Sequence, residues 1–565
     1  MDASGINKTS REYLETLFYH TIDDSHRKHV SQYMSSAEQK RNILSSEINK
    51  LKTEITRLEY QKKRLEKDME RYGSILRSPI RRMPPEILGH IFTMACEDNY
   101  IGPFQLPQAI VASNICRRWR EVAMETPRMW SSMTIPFQEW ERDLPRLPQI
   151  IQLFLERSKT SPLTLRMNFG TYCHVIPASV FDAVDFLVMH SHRWERLDFE
   201  GCGDPFFFPV FNNMDRNLPI MQHLGLTGRG HRMDGELIDI FQHARSLRSV
   251  AIKYSSLVDV FLLPRSTITT LQLELVELEI LFGLLLSYDN LQHLEVSRLT
   301  DDLGLQDMWD PHFIMVARNT LRNLTIGAVD QSDICCLLRH STFASLDTLK
   351  IAGVYDTPDE SWPSWDNHTL VEFLRRSSCP ITTLSLKWLP ITEEQIIQLL
   401  RLLPAIENLQ LEEFQKGIRP RDAVTNQFIT NDFFTKCLSS TSSPTPALPR
   451  LTNLKLTYHT HKLDEDAVMD AVMSRMQPVC QDTGVACLAS VSLTLIVNIP
   501  LPPGWKSGVD SKGRRYFCHA LTPTVITRKD PREEDDSTFS PIVDRLARFR
   551  TAGLLVDIAQ IPMKP

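Results

Sequence analysis

Glycine is scarce in this sequence, and its cysteines follow no repeated spacing. The 565 residues include only 21 glycines, and they contain no phosphate-binding G-x-x-x-x-G-K loop and no glycine-rich dinucleotide fingerprint. The G-x-S-x-G and H-E-x-x-H signatures of hydrolases are missing as well. None of the 11 cysteines belongs to a C-x-x-C pair, which disfavours a zinc site or a redox motif. We therefore expect a non-catalytic protein that holds no metal and no cofactor.

The chain also lacks a long apolar run, a secretory signal and a strong charge of one sign. No apolar stretch approaches the ~20 residues of a membrane span, and the start MDASGINKTSREYLE has no charged-then-apolar layout. The net charge of -6 gives no electrostatic argument for nucleic acid. We therefore expect a cytoplasmic or nuclear protein with reduced, mostly buried cysteines that binds neither membrane nor nucleic acid.

Residues 82–130 predict a small unit of two or three short helices. The first helix opens at two prolines, because proline is favoured in the first helical turn, and it continues with the apolar stripe Ile87, Leu88, Ile91 and Phe92. A second helix carries apolar residues on one face from Ile115 to Ala123, and Pro127 ends it. A unit this small buries little apolar surface alone, so it is usually completed by a partner or a neighbouring domain.

These residues resemble an F-box of the form common in fungal proteins. The resemblance rests on Met83-Pro84-x-Glu86-Ile87-Leu88-x-x-Ile91-Phe92, then Ile115-Cys116-Arg117-x-Trp119-Arg120-x-Val122, and finally Trp130. It implies docking to the Skp-type adaptor of a cullin ubiquitin ligase. The residues that would form this contact are Pro84, Ile87, Leu88, Ile91, Ile115, Cys116, Trp119 and Trp130. The alternative is an ordinary helical hairpin packed into the chain's own core. Two departures, a long loop before Val111 and Met83 in place of leucine, would weaken adaptor binding.

Between residues 44 and 72, apolar side chains recur at alternating steps of four and three, which is the spacing of a coiled-coil seam. Isoleucine at a positions and leucine at d positions favour a parallel two-stranded coil, and Lys62 is the one charged residue at an a position. The predicted dimer seam consists of Ile48, Leu51, Ile55, Leu58 and Leu65. A homodimer is thus one prediction. The alternative is that this helix folds back on residues 10–40 or on the F-box-like stretch.

An apolar-x-x-apolar-x-apolar motif recurs along most of the remaining chain. Its cleanest copies begin at Leu247, Ile268, Leu291, Leu321, Leu346, Ile381, Ile406 and Leu451. Each copy predicts a short strand, and connections such as residues 393–403 have helical periodicity. One strand-plus-helix unit cannot bury its own apolar face, so neighbouring units must stack. The copies resemble leucine-rich repeats, although the usual asparagine after the motif is missing. The predicted fold is an α/β solenoid, a horseshoe with a parallel sheet, preceded by an all-α F-box and a long coiled-coil helix.

The side chain in the middle of each motif points away from the core, onto the concave face of the predicted sheet. These side chains are Gly225, Ala251, Gln272, Glu295, Thr325, Lys350, Ser385, Gln410 and Lys455. They are chemically mixed, which suggests a protein target whose identity the sequence does not give. The alternative is a solvated face, with loops or helices binding the target instead.

Residues 501–532 resemble a WW domain, the small three-stranded sheet that binds proline-rich peptides. The matching pieces are Leu501-Pro502-x-Gly504-Trp505, Gly513-x-x-Tyr516-Phe517 and Asp530-Pro531-Arg532. Thr527-Arg528 stand where a second, proline-gripping tryptophan is expected, so we predict a folded segment that binds peptides poorly. The alternative is that the likeness is accidental. The apolar residues 554–561 are then expected to close the solenoid, whose last repeat needs a cap.

Together these patterns predict N-terminal helical or flexible residues 1–40, a coiled coil at 41–75, an F-box at 78–135, a repeat solenoid at 155–500, a degenerate WW-like segment at 501–532 and a cap or tail at 533–565. The resemblances imply a substrate-recognition subunit of a Skp–cullin–F-box ubiquitin ligase, in which the F-box docks to the adaptor and the repeat array binds a protein target. The alternative is a non-catalytic interaction scaffold without ligase attachment.

Overall fold

The computed structural model describes most of the chain in separate stretches. They are residues 24–140, 146–170, 178–201, 217–228, 239–254, 261–300, 315–354, 362, 364–414, 428–439, 447–459, 464–476, 485–497, 505–509, 515–519, 522–527 and 554–562. The chain divides into two compact units, Met1–Leu88 and Gly89–Pro565, and each is described by itself.

One long helix, Asp24–Arg77, makes up nearly all of the described part of the first unit. Its 54 residues span about 81 Å at 1.5 Å per residue. The helix runs without a break through residue 40, where the predicted helical or flexible N-terminal segment meets the predicted coiled coil, and no proline occurs before Pro79 to end it. A 3-10 turn, Pro79–Arg81, follows it. Residues 24–40 therefore cannot fold back on the coiled-coil stretch, since both belong to the same helix. Residues 1–23 lie outside the described part.

The second unit begins with short helices, where the sequence predicted two or three of them. The helix Pro85–Ala95 starts in the first unit and ends in the second. The helices Gln108–Asn114 and Arg117–Met124 and the 3-10 turn Pro127–Trp130 follow. Prolines stand at the start of three of these four elements, because a proline in the first turn loses no helical hydrogen bond.

Among the residues that the structure describes, the second unit continues with a sheet of 14 strands, whose neighbouring strands pair in parallel and follow chain order. The strands of the structure are β1 (Ser132–Pro136), β2 (Leu163–Asn168), β3 (Trp194–Glu200), β4 (His223–Thr227), β5 (Ser249–Tyr254), β6 (Thr270–Glu277), β7 (His293–Thr300), β8 (Val316–Ala317), β9 (Asn323–Ala328), β10 (Ser341–Thr342), β11 (Thr348–Gly353), β12 (Thr383–Lys387), β13 (Asn408–Glu412), β14 (Asn453–His459), β15 (Ser490–Val497), β16 (Trp505–Val509), β17 (Arg515–His519), β18 (Thr522–Thr527) and β19 (Leu555–Pro562). Of these, β8 pairs only with β10, and β16 to β18 form a sheet of their own.

Helices occupy several of the connections between the parallel strands. They are Arg146–Ser158, Ala178–Val188, Leu278–Ser287, Gln331–Arg339, Asn367–Ser377, Glu393–Arg401, Asn431–Phe433 and Glu465–Ser474. The helix Glu393–Arg401 lies where helical periodicity predicted one, and a capping box between Thr392 and Gln395 begins it. In the part of the chain that the structure describes, no helix is both long enough and apolar enough to cross a bilayer.

The apolar positions of the repeated motif stack in columns beneath the sheet. In one column, Leu324 pairs with Leu349, Leu349 with Leu384, and Leu384 with Leu409. All four side chains are buried, because each strand covers the apolar face of its neighbour. This parallel sheet with helical connections, preceded by a long helix, is compatible with the predicted α/β solenoid.

A row of hydrogen-bonded polar side chains runs beside these columns, and the sequence did not reveal it. The Asn408 amide donates to the Thr383 hydroxyl over 3.0 Å, and the Asn453 amide donates to Asn408 Oδ1 over 2.7 Å. The Ser490 hydroxyl then donates to Asn453 Oδ1 over 2.6 Å. The row thus links four neighbouring strands through side chains that stand one residue before the column of leucines.

The sheet extends beyond both predicted limits of the solenoid, 155 and 500. Strand β1 begins within the range 78–135 that was predicted for the F-box, yet it pairs with β2. At the other end, β19 pairs in parallel with β15 as the last strand. The predicted closing segment at 554–561 is thus the terminal strand of this sheet among the described residues.

The three-stranded sheet β16 to β18 lies in the chain between β15 and β19. It is antiparallel, with Trp505 opposite His519 and Phe517 opposite Thr527. Three antiparallel strands are what the WW-like resemblance implied for residues 501–532. The side chains that would bind a peptide lie outside the described part, so the prediction of poor peptide binding stays a prediction.

Candidate functional site

The first unit contributes three of the predicted adaptor-binding residues. Pro84 is exposed, and Ile87 exposes 51% of its surface at the start of the helix Pro85–Ala95. Leu88 is fully buried, and its backbone N–H donates to the Pro84 carbonyl over 3.1 Å. Leu88 is therefore a core residue, and the prediction that it contacts an adaptor is corrected.

In the second unit, Phe92 and Trp119 pack together across two helices. Their ring centroids lie 4.8 Å apart at an angle of 58°. Phe92 is buried, whereas Trp119 is half-buried and so covers Phe92 while keeping part of its own ring accessible. Ile91, on the same helix as Phe92, is also half-buried. A partly exposed tryptophan above a buried phenylalanine is well suited to a protein contact, because its ring is already held in place.

Ile115 and Cys116 form the junction between the helices Gln108–Asn114 and Arg117–Met124. Ile115 exposes 58% of its surface. Cys116 is exposed and caps the second helix, since its Sγ accepts a hydrogen bond from the Trp119 backbone N–H over 3.5 Å. The cap fixes the start of the helix that carries Trp119.

Trp130 is fully buried, so the prediction that it contacts an adaptor is corrected as well. Its indole N–H donates to the Ala123 carbonyl over 2.8 Å. Its ring meets Phe154 edge-on with centroids 5.2 Å apart, and the Arg157 guanidinium lies 4.4 Å from the ring centroid. Phe154 and Arg157 belong to the helix Arg146–Ser158, between the first two strands of the sheet. Trp130 therefore anchors the short helices to the repeat array.

Asn99 makes a second connection between the short helices and the sheet. Its side chain is fully buried, and its amide donates to the carbonyls of Cys96 and Met129 over 2.9 Å each and to Ser132 over 3.1 Å. Its Oδ1 accepts from the Ala109 N–H over 2.9 Å. The next residue, Tyr100, forms a parallel bridge with Thr134 of β1. Sequence reasoning missed Asn99, because an asparagine between a helix and a loop is ordinarily exposed.

Replacing Asn99 by alanine is expected to loosen the short helices before the rest of the second unit. The change removes the partner of the buried Ala109 N–H and of several carbonyls, and each unpaired buried group costs about 1–3 kcal/mol. We expect the amides of residues 85–135 to exchange faster by at least about tenfold, while residues 380–460 keep their rates. Hydrogen exchange followed by mass spectrometry measures both regions. Asn42→Ala serves as the control, because Asn42 is exposed. Equal exchange rates in the wild-type, Asn99→Ala and Asn42→Ala chains would contradict the role of Asn99.

Several exposed apolar residues of the second unit were not among the predicted contacts. Phe104 exposes 93% of its surface in the loop between Ile101 and Pro107. Met94, Leu106 and Val111 are also exposed. The long loop was noted in the sequence, but only the structure shows that its phenylalanine packs against nothing. Large exposed apolar side chains on a folded unit commonly mark a protein contact.

The polar face of the sheet carries a cavity of about 490 Å³ between β1 and β7. Four of the predicted middle positions line it, namely Gly225, Ala251, Gln272 and Glu295. The small residues leave room, and a Cβ at Gly225 would stand 2.4 Å from Asp198 Oδ1, so a larger residue there would displace the Asp198 carboxylate. Charged side chains of both signs surround the cavity, among them Arg166 and Lys253.

Asp198 is the most strongly bonded charged group in this cavity. It accepts hydrogen bonds from Arg196 Nε over 2.8 Å and from His223 Nε2 over 3.1 Å, and Arg166 Nε lies 3.7 Å away. Burial raises the pKa of Asp198, but the bonds from His223 and Arg196 and their charges outweigh it and lower the pKa to about 2. Asp198 therefore stays ionised and holds these side chains in place. Within the described ranges, no three His, Cys, Asp or Glu side chains are grouped so that they could hold a metal ion.

A scan against protein-family models found no family that matches this chain. A search of curated proteins found no match either.

Proposed function

We propose that the chain is the substrate-recognition subunit of a Skp–cullin–F-box ubiquitin ligase. One observation carries the proposal: apolar residues that the F-box-like stretch would present to an adaptor, Ile87, Ile115 and Trp119, are exposed or half-buried. Covering such side chains with another protein removes apolar surface from water. The residues that we assign to the Skp-type adaptor are Pro84 and Ile87 of the first unit and Ile91, Ile115, Cys116 and Trp119 of the second, with Phe104 of the second unit as an addition.

In this proposal the leucine-rich-repeat-like array binds a protein target on the polar face of the sheet. Residues from Gly89 onward form one compact unit with the sheet, and Trp130 and Asn99 supply the contacts that join them. A target on the sheet would then stay at a fixed distance from the adaptor-binding helices of this unit. A fixed distance favours ubiquitin transfer by the other subunits, because transfer requires the target to remain near the reactive group.

The chain itself performs no chemistry in this proposal. Burial raises the pKa of the Cys335 thiol to about 12, which disfavours the thiolate that a nucleophile needs. We propose the cytosol or the nucleus as the place where the complex acts. The second candidate function is an interaction scaffold without ligase attachment, and the exposed apolar seam of the helix Asp24–Arg77 favours it.

Reconstitution with purified ligase subunits separates the two functions. We expect the full chain to form a stable complex with a Skp-type adaptor and, through it, with a cullin. With ubiquitin and its activating and conjugating enzymes, this complex should attach ubiquitin to the chain or to a bound target. The same reaction without the adaptor is the control. A chain that remains separate from adaptor and cullin in size-exclusion chromatography would overturn the receptor function and leave the scaffold.

A further inference from the structure

The apolar seam of the helix Asp24–Arg77 is longer than the sequence pattern first indicated. Because the helix begins at Asp24, the spacing of three and four residues runs unbroken from Val30 to Leu76. The positions of this seam are Val30, Met34, Ala37, Arg41, Leu44, Ile48, Leu51, Ile55, Leu58, Lys62, Leu65, Met69, Tyr72 and Leu76. Apart from Val30, which is partly covered, all of them are exposed in the single chain.

The seam is also narrow, and its width indicates what can cover it. The flanking e and g positions in the middle of the helix are Glu38, Lys40, Ser45, Glu47, Lys52, Glu54, Glu59, Gln61, Glu66 and Asp68, all of them polar. A helix that packs on a globular domain needs a wider stripe, with a third apolar position in each heptad. A stripe of a and d positions alone fits another helix that carries the same stripe. The longest other helix that the structure describes, Arg146–Ser158, has 13 residues and is too short.

We propose that two copies of this chain associate through a parallel, in-register coiled coil along residues 30–76. Isoleucine at the a positions Ile48 and Ile55, with leucine at the d positions between Leu44 and Leu65, favours two parallel strands. In this register Glu47 faces Lys52 of the second copy, whereas Glu54 faces Glu59 of the second copy. The attraction between Glu47 and Lys52 and the repulsion between Glu54 and Glu59 offset each other. The burial of the apolar seam therefore determines the association.

Lys62 and Arg41, the two charged residues at a positions of this seam, determine the register of the pair. In the single helix its Nζ lies 3.7 Å from Glu66 Oε1. In the parallel pair the two Lys62 side chains share one layer, and each reaches out of the seam toward a glutamate while its stem stays between the leucines. A shift by one heptad would place each Lys62 against Ile55 or Met69 of the other copy and each Arg41 against Met34 or Ile48, so it would bury four charged layers in place of two. Polar residues at a positions specify register in this way at some loss of stability.

A parallel pair would make the ligase bivalent. Both chains leave the coil at the same end, at Arg77, and each continues into its own adaptor-binding stretch. Two repeat arrays on one particle raise the effective concentration of the second array once the first has bound a target. This consequence rests on the proposed function, whereas the dimer itself does not.

The mass of the full chain in solution tests the dimer. By light scattering after size-exclusion chromatography at micromolar concentration, we expect twice the 65.0 kDa of one chain. Leu51→Glu with Leu58→Glu should give the mass of one chain, since it places charges in two seam layers while glutamate keeps nearly the helix propensity of leucine. Thr53→Glu with Tyr60→Glu adds the same charges at two f positions on the opposite face and should leave the dimer intact. A wild-type chain with the mass of one copy would overturn the proposal. So would a result in which both double variants lose the dimer equally.

A cross-link tests the orientation and the register. In the parallel pair, cysteines introduced at Leu51 face each other in one d layer, within reach of a disulfide. We expect Leu51→Cys to form a covalent dimer under mild oxidation, while Thr53→Cys and the wild-type chain, with its exposed Cys116, do not. A dimeric mass without a Leu51→Cys cross-link would overturn the parallel, in-register arrangement. Adaptor binding is measured on the same samples, so a failed dimer and a failed receptor function are told apart.

Discussion

Ile87→Asp combined with Trp119→Ala is expected to weaken adaptor binding by at least about 100-fold. Truncating a hot-spot residue costs about 2 kcal/mol or more, and each 1.4 kcal/mol changes affinity about tenfold. Ile87→Asp places a carboxylate where an apolar contact is proposed, and burying an unpaired charge carries a large desolvation cost. Trp119→Ala removes the largest side chain of the proposed surface. The two changes lie on different helices of the F-box-like stretch.

The affinity is measured by titrating a purified Skp-type adaptor into the full chain in a calorimeter. Met189→Asp serves as the matched control, because Met189 is an exposed apolar residue on the repeat array. A chain with Trp119→Phe should bind the adaptor more tightly than one with Trp119→Ala, since a phenyl ring can still cover Phe92. Far-UV circular dichroism checks that every variant is folded. Unchanged affinity in the double variant would show that the adaptor does not bind this surface.

Glu413→Ala is expected to have the largest effect on stability. Glu413 follows β13 and is 1% exposed. Its Oε1 accepts from the backbone N–H groups of Phe428 and Ile429 over 3.0 and 2.8 Å, and its Oε2 accepts from the N–H of His459 over 2.9 Å. One carboxyl group therefore satisfies three buried donors from two other stretches of the chain. Alanine would leave all three N–H groups unpaired, and each unpaired group costs about 1–3 kcal/mol. We therefore expect the free energy of unfolding to fall by at least about 3 kcal/mol.

In the Glu413→Ala chain, the loss of local stability should be largest near residue 413 itself. Hydrogen exchange of residues 405–460 reports local opening, and thermal unfolding reports the whole second unit. Glu394→Ala is the control, because Glu394 is an exposed glutamate of the helix Glu393–Arg401. Glu413→Gln should lose less than Glu413→Ala, since the amide oxygen still accepts hydrogen bonds. A Glu413→Ala chain as stable as the Glu394→Ala control would rule out this role.

Glu413 also makes the stability of the second unit depend on pH. Burial raises the pKa of Glu413 from 4.5 to about 7, against the opposing effect of the three backbone N–H groups. The folded chain therefore holds the proton more tightly than the unfolded chain. The stability that the chain gains from this tighter proton binding at Glu413 is complete below about pH 4.5 and is lost as pH rises through about 7. The wild-type chain should accordingly gain more thermal stability than Glu413→Gln when both are moved from pH 8 to pH 5. An equal change in both chains would contradict this assignment.

Residues whose role depends on local spacing were accessible to sequence reasoning. Proline positions and apolar periodicity predicted the helix Pro85–Ala95, and the motif leucines predicted strands such as β9 and β11. The seam from Ile48 to Leu65 followed from heptad spacing alone. In each case the residues that decide the structure lie within a few positions of one another, so their pattern is visible in the chain itself.

Residues whose role depends on distant partners were not accessible in this way. Leu88 and Trp130 were predicted to contact an adaptor, yet both are buried, and Phe154, which meets Trp130, lies more than twenty positions further along the chain. Asn99 and Glu413 read as ordinary polar residues, but each satisfies buried backbone groups from other segments.

The sequence by itself determined the helix along residues 44–72 with its heptad seam, the short helices after Pro84, and the repeated strands. Only the tertiary structure decided that β1 and β19 complete the sheet, which apolar residues remain on the surface, and where the buried polar partners lie. The physical reason is that periodicity depends on neighbours along the chain, whereas burial and hydrogen-bond satisfaction depend on neighbours in space.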